Sequence, residues 1–343
     1  MDIRFYDFDL NLLHILPQWS YKIGYTSCNV QQDFNGNGSF EIVFADEILK
    51  TVVEQNQNEL FVKWGDFQGF LTGYQWSDTE CHLYGMHLNG LLKNYVVPAD
   101  EAEGEKNAEQ LILSTVNIVN TDAPWLTMPA EQGFTETISY PKNNYTPLDA
   151  WLTELLNQFG WGYEIKIDFE SKVFSFALKK PSENGLMLST NNLNAHTFVT
   201  TYDNKTLARG GWYVVDVEKV RKKVDEEGNV VEDETGQPIM ETVTEKEWRY
   251  ISNGAHGLHR RDVVLTATTD KEALNELKTF TATADVTCET ESIQCGVDYN
   301  IGDIIRVQNG VGVTVKKLVS AVNWWQEQSY NEKPILTEVV LDD

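Results

Sequence analysis

Cys81, His82 and His87 come nearest to a metal-ligand set in this chain. The geometry argues against it. On a strand, positions 82 and 87 point to opposite faces, because five is an odd separation. Cys28, Cys81, Cys288 and Cys295 form no C-x-x-C pair and read as reduced thiols buried in strands. Cys288 and Cys295 could pair only if a hairpin brought them together. His256-x-x-His259 lacks the glutamate of a zinc protease helix and has Arg260-Arg261 beside it. No nucleophile elbow occurs, and no phosphate loop, since the Lys-Ser/Thr that should follow the glycines is missing. Asp225–Glu247 holds nine acids, but Asp225-Glu226-Glu227-Gly228-Asn229 misses the register of a calcium loop. Acids are so common elsewhere that no carboxylate pair stands out for glycosidase work. These residues point to no catalysis, no cofactor and no required metal.

The elements that position these residues read mostly as strands. Ile3–Tyr6, Leu12–Leu16, Ser20–Gln32, Phe40–Phe44, Leu60–Trp64, Phe67–Trp76 and Glu80–Leu88 are short runs parted by turn residues, as in a barrel or sandwich. Asn35-Gly36-Asn37-Gly38 predicts a tight hairpin turn. The middle of the chain changes period. Ala108, Leu111, Ile112, Val116 and Val119 share a helical face. Leu148, Trp151, Leu152, Leu155, Leu156 and Phe159 share another, with Thr146 as expected cap, Pro147 at the first helical position and Gly160 as stop. A hairpin follows: Tyr163–Phe169, the turn Glu170-Ser171-Lys172, and Val173–Leu178.

Ala195–Tyr202, Gly211–Val220, Trp248–Ile251, Val263–Ala267, Val297–Val307, Val313–Trp325 and Ile335–Leu341 return to strand character. Thr269-Asp270-Lys271-Glu272 has capping-box spacing and predicts a helix through Phe280. The fold class expected is β-rich α+β: β-barrel or sandwich domains with a small helix-plus-hairpin α+β domain. The expected domains are 1–98, 99–184 and 185–343, the last sharing strands with the first.

Within the last domain the charged stretch near 221–247 reads as a long, solvated β-hairpin arm. Its tip residues Glu226, Glu227, Asn229, Val230, Val231, Ile239 and Met240 are candidates for contact with a neighbouring chain. Trp324 and Trp325 are adjacent on a strand, so they face opposite ways. One can enter a core; the other is left for a partner, a second layer or water.

Composition narrows the function classes. The chain has 343 residues, 52 acids and 27 bases, for a net charge of −25. That disfavours general nucleic-acid binding and charge-held membrane attachment. No apolar run approaches the ~18–20 residues of a spanning helix. The acidic N-terminal residues do not suit a signal peptide, so synthesis in the cytoplasm is expected. Ten tryptophans leave a carbohydrate-binding or adhesion module as an alternative reading.

The order of segments resembles a known family. Tyr6-Asp7-Phe8-Asp9-Leu10-Asn11-Leu12-Leu13-His14-Ile15 is similar to the opening of the baseplate and tail-tip hub proteins of long-tailed phages and phage-like particles. Gly38-Ser39-Phe40-Glu41-Ile42, Gly85–Leu92, the helix and hairpin of Pro147–Lys179, Gly257–Val263 and Tyr299–Ile305 follow in that family's order. The resemblance implies a non-enzymatic virion structural protein, built in the host cytoplasm and located in the virion tail. It implies a trimeric ring that links the tail tube to the distal tip and lines the channel. The partners implied are further copies of the chain, a hexameric distal tail or tube protein, the tape-measure protein and a tip or receptor-binding protein. Asp343 follows soon after the last strand, so no lysin or receptor-binding extension is expected.

Overall fold

The computed structural model describes residues 1–18, 24–57, 59–77, 80–98, 105–139, 145–203, 207–224, 230–232, 235–252, 254, 260–280, 283–327 and 329–339. The architecture is β-rich α+β. The chain forms two compact units: residues 1–199 together with 286–343, and an inserted unit of 200–285. The stretch 185–343 therefore contributes strands to both.

Seven strands open the larger unit: β1 (Ile3–Tyr6), β2 (Leu12–Leu16), β3 (Tyr25–Asp33), β4 (Ser39–Phe44), β5 (Phe61–Trp64), β6 (Phe67–Trp76) and β7 (Cys81–His87). They pair in the order β3-β4-β7-β6-β5-β1-β2. Beyond β2, Gln18 bridges back to Tyr25 at the start of β3, so the sheet returns on itself. Alternate residues point inward. Ile3, Phe5, Val30, Phe40, Ile42, Val62, Phe67, Leu71 and Leu83 form one buried cluster. Helix α1 (Glu47–Gln55), absent from the sequence reading, adds Leu49 and Val53 to it. Its signal was Asp46, whose carboxylate accepts the Ile48 and Leu49 N–H groups as N-cap.

Strand Thr314–Gln326 pairs with β3 across the length of the chain, Val322 opposite Gln32 and Trp324 opposite Val30. Tyr330–Glu338, Asp303–Gln308 and the parallel strand Ser182–Ser189 extend this sheet. The strand expected at Val297–Val307 begins only at Asp303. Its first half is a loop in which Gly302 has φ +94° and abuts the Phe34 ring. Only glycine avoids both the positive φ and the clash. The strand expected at Ile335–Leu341 instead runs Tyr330–Glu338.

Helices α2 (Ala108–Val116) and α3 (Leu148–Phe159) pack with the hairpin Gly162–Asp168/Val173–Lys179 against the other side of the first sheet, where Tyr6, Phe61 and Phe70 join their core. Residues Phe67–Leu71 of β6 are thus buried on both faces, and the strand becomes partly exposed from Thr72 onward. Thr146 does not cap α3. Thr146-Pro147 pair as a short strand with Val96-Val97, Pro147 is itself the cap residue, and the Leu148 N–H bonds the Tyr95 carbonyl. Gly160 ends the helix in the left-handed region, at φ 64°.

Asn35–Gly38 is not a two-residue turn. Residues 34–38 form a wider loop pinned by buried Phe34 and by Asn35 and Asn37, which donate to Asn157 and Asp149. Two buried amides then join the hairpin to the first sheet. Asn89 donates to the Gly36 and Tyr163 carbonyls and accepts the Ile165 N–H. Gln68 bonds both backbone groups of Ile167. They satisfy a strand edge that would otherwise be buried unpaired.

The inserted unit has a three-stranded sheet. Gly210–Lys222 lies at its centre, antiparallel to Met240–Ser252 and parallel to Asp262–Val264. Helix α4 (Asp270–Thr279) carries the capping box that the spacing predicts, Thr269 with Glu272. Ala273 and Leu277 of α4 cover Tyr213, Val215 and Leu265.

Candidate functional site

Cys81 and His87 are buried in β7, and His82 on the opposite face meets Glu41 at 2.9 Å. The Cys28, Cys288 and Cys295 thiols are pushed up by burial, Cys288 to about 11 and Cys295 to about 12. That is the behaviour of inert thiols rather than nucleophiles. His256 and His259 lie outside the described residues. Among the described residues no three His, Cys, Asp or Glu side chains group to hold a metal ion.

Each buried carboxylate has backbone or side-chain partners. Glu109 accepts the N–H groups of Gln132, Gly133 and Phe134. Asp303 accepts from Ser182, Asn184 and Asn300, which accounts for the Gly-Asp of the Tyr299–Ile305 motif. Glu164 lines a cleft of about 420 Å³ with Gln32, Lys63, Lys166 and Lys179. Burial alone would raise its pKa; the Lys179 and Lys166 ammonium groups outweigh that and hold it below the usual carboxylate value.

What the molecule presents outward is the long hairpin. Thirteen residue pairs join its strands, from Gly210↔Ser252 to Lys222↔Met240, without a bulge. Its base is supported on one side by α4. From Glu218 outward nearly every residue on both strands is exposed. An isolated two-stranded ribbon is only marginally stable, and here cross-strand ion pairs reinforce it: Lys219–Glu245 at 3.0 Å and Arg221–Glu241 at 2.9 Å. Pairing continues past Lys222. Val231 takes the Lys223 carbonyl and gives its own carbonyl to Ile239.

Of the tip residues singled out from the sequence, Val230, Ile239 and Met240 are exposed and Val231 is half-buried. Glu226, Glu227 and Asn229 lie outside the described residues. Trp324 packs against two core clusters, and Trp325 is half-buried on the opposite face of its strand.

The sequence reading missed a second surface at the base of the hairpin. Trp212, Val214, Trp248, Tyr250 and Val264 share the sheet face opposite α4. Trp212 stands between Tyr250 and Val264, and Val214 opposite Trp248. Trp212 is 38% exposed, Trp248 57%, Tyr250 36% and Val264 67%. The Tyr250 hydroxyl reaches over Gly210, where a Cβ would strike it, and donates to Asp262. Arg260 stacks on the Tyr250 ring at 4.8 Å and bonds Asp262. The available signal was the run Trp212-Tyr213-Val214-Val215, apolar on both faces where one face was expected to be polar.

Three solved structures share this architecture end to end. A tail protein from Neisseria meningitidis MC58 superposes with a TM-score of 0.55 at 12% identity, covering 98% of this chain and 96% of that one. The 43 kDa tail protein of prophage MuSo2 from Shewanella oneidensis gives 0.52 at 13%, covering 98% of each. A prophage tail protein from Listeria monocytogenes EGD-e gives 0.53 at 15%, covering 97% of this chain and 93% of that one. The chain folds as these tail proteins do. No family model matches the sequence, and no curated protein matches it.

Proposed function

We propose that this chain is a structural hub protein of a phage or phage-like tail tip. In this reading it forms a trimeric ring that joins the tail tube to the distal tip and lines the channel. The observation that carries the reading is the end-to-end fold likeness to three tail proteins, which takes in 97–98% of this chain. The order of sequence motifs supports it independently. Its work is assembly rather than catalysis, and its place is the virion tail. The partners are further copies of the chain, a hexameric distal tail or tube protein, the tape-measure protein and a tip protein.

The hairpin is the arm that reaches a neighbour, through Val230, Val231, Ile239, Met240 and the acids Glu226 and Glu227 with Asn229. Trp325 is a second contact point; Trp324, packed on the cores, serves to hold its strand. The acidic arm favours a basic partner and an association that weakens with salt. The test is a copy count in the imaged particle, together with a variant in which Glu226–Pro238 is replaced by a short Gly/Asn turn. The reading expects a multiple of three copies. It expects the shortened protein to melt as the parent does and to assemble poorly. A single copy per particle refutes the ring, and normal assembly of the shortened protein refutes the arm. Muropeptide release from isolated peptidoglycan, abolished by one acid-to-amide change, would refute the non-catalytic role.

A further inference from the structure

We infer that the long hairpin pairs edge to edge with the hairpin of a second copy of this chain, the returning strand Met240–Ser252 of one copy lying along the outgoing strand Gly210–Lys222 of the next. The inference deepens the ring reading above and rests on it. Its first support is the backbone. The sheet order runs Met240–Ser252, Gly210–Lys222, Asp262–Val264. The returning strand is therefore an edge along all of its 13 residues. The outgoing strand is covered by Asp262–Val264 only from Gly210 to Trp212, and beyond Trp212 no described strand pairs with its outer edge. A long ribbon with two open edges is a template for a further strand. Proteins blunt such edges with proline, a bulge, a very short strand or charge. Neither strand of this hairpin contains proline, and their pairing has no bulge.

Charge is the remaining device, and its pattern here selects the occupant. On the face toward α4 the outgoing strand carries Lys219 and Arg221. The returning strand carries Glu241, Glu245 and Glu247 there, with Arg249 at the base bonded to Asp270. On the opposite face the signs exchange. Asp216 and Glu218 lie on the outgoing strand, with Lys222 at its end, and Lys246 lies on the returning one. A returning edge set beside an outgoing edge in the hairpin's own register repeats outside the pairing already present within, Arg221 opposite Glu241 and Asp216 opposite Lys246. Each charge then gains a second neighbour of opposite sign, which stabilises a sheet, whereas like charges set opposite one another destabilise it. Two returning edges would instead gather Glu241, Glu245 and Glu247 from both copies, and two outgoing edges would gather Lys219 and Arg221. The directions agree as well, since outgoing beside returning is antiparallel, as within the hairpin. Every copy offers one edge of each kind. A contact between two unlike edges is heterologous and generates a ring when its rotation closes.

The experiment uses assembled particles that contain two variants of the chain in equal amounts, Val220→Cys and Thr242→Cys. The two positions stand opposite each other in the hairpin, both are exposed, and neither substitution removes a charge. Each chain carries only one of the new thiols, so a bridge between positions 220 and 242 must join two copies. A short bis-maleimide followed by peptide mass spectrometry reads which positions join. The parent, with Cys28, Cys81, Cys288 and Cys295, sets the background. The expected result is a 220–242 bridge at a yield at least ten-fold above any 220–220 or 242–242 bridge, with both variants melting as the parent does. Should either variant fail to assemble, Glu218→Cys with Thr244→Cys reads the same register two residues nearer the base. Like-with-like bridges at equal or greater yield overturn the inference, because they set edges of one kind together. Particles that hold a multiple of three copies and give no bridge overturn it and leave the ring standing. A bridge only to another tail protein overturns it in favour of that protein's strand. One copy per particle overturns both the inference and the ring.

Discussion

Substituting His87 should remove a defined share of the chain's acid sensitivity. The imidazole is 2% exposed at the end of β7, and its Nδ1 accepts the Asn89 N–H. Burial pushes its pKa down from 6.5 to about 4; nearby Glu164 pulls the other way, and Lys166 and Lys179 add to the lowering. The folded state therefore keeps the ring neutral in a range where the unfolded chain protonates it. Stability is full above pH 6.5, falls as the pH drops below it, and stops falling near pH 4. Integrated between pH 7 and pH 5, where most carboxylates stay ionised, the loss comes to about 2 kcal/mol. The assay is urea unfolding of the parent and His87→Asn at those two pH values. The lost volume lowers the variant's stability equally at both, so it drops out of the difference. His14 and His82 are present in both proteins and also cancel. The parent should lose about 2 kcal/mol more than the variant on acidification. An equal loss in the two proteins would refute the reasoning.

Three further outcomes follow from the same contacts. Asn89→Ala strands the Gly36 and Tyr163 carbonyls and the Ile165 N–H, and should destabilise the larger unit by about 3–5 kcal/mol in chemical denaturation; a loss under about 1 kcal/mol would show that water replaces the amide. Gly302→Ala meets both a φ of +94° and the Phe34 ring, so a loss of about 2–4 kcal/mol is expected, and an unchanged melting temperature would contradict it. Glu164, held below its usual value mainly by Lys179 against the effect of burial, contributes stability that is complete above about pH 4.5 and drains as pH falls through its lower folded value. Glu164→Gln should flatten the stability profile below that pH, and an unaltered acid limb would count against the ion pair.

Much of the local structure was legible in the sequence. Helix α3 follows from apolar residues three and four apart between Pro147 and Gly160, and α4 from the capping box at Thr269. The turn at Glu170–Lys172 and the excess of strands were equally readable, and the β-rich α+β class came with them. These features depend on neighbours within a few positions, where spacing and cap chemistry decide the outcome. The tertiary structure decided what lies far apart. Nothing in the spacing of Thr314–Gln326 says that it joins β3, since register between distant strands is set by which faces become buried. Nor does the sequence show that Asn89 and Gln68 complete a strand edge, because a buried amide acquires its partners only once the elements have docked. The inserted unit shows the division most clearly. The alternation Trp212-Tyr213-Val214-Val215 declares two apolar faces, but α4 can cover only one of them. Its docking buried Tyr213 and Val215 and left Trp212, Trp248 and Tyr250 on the outside.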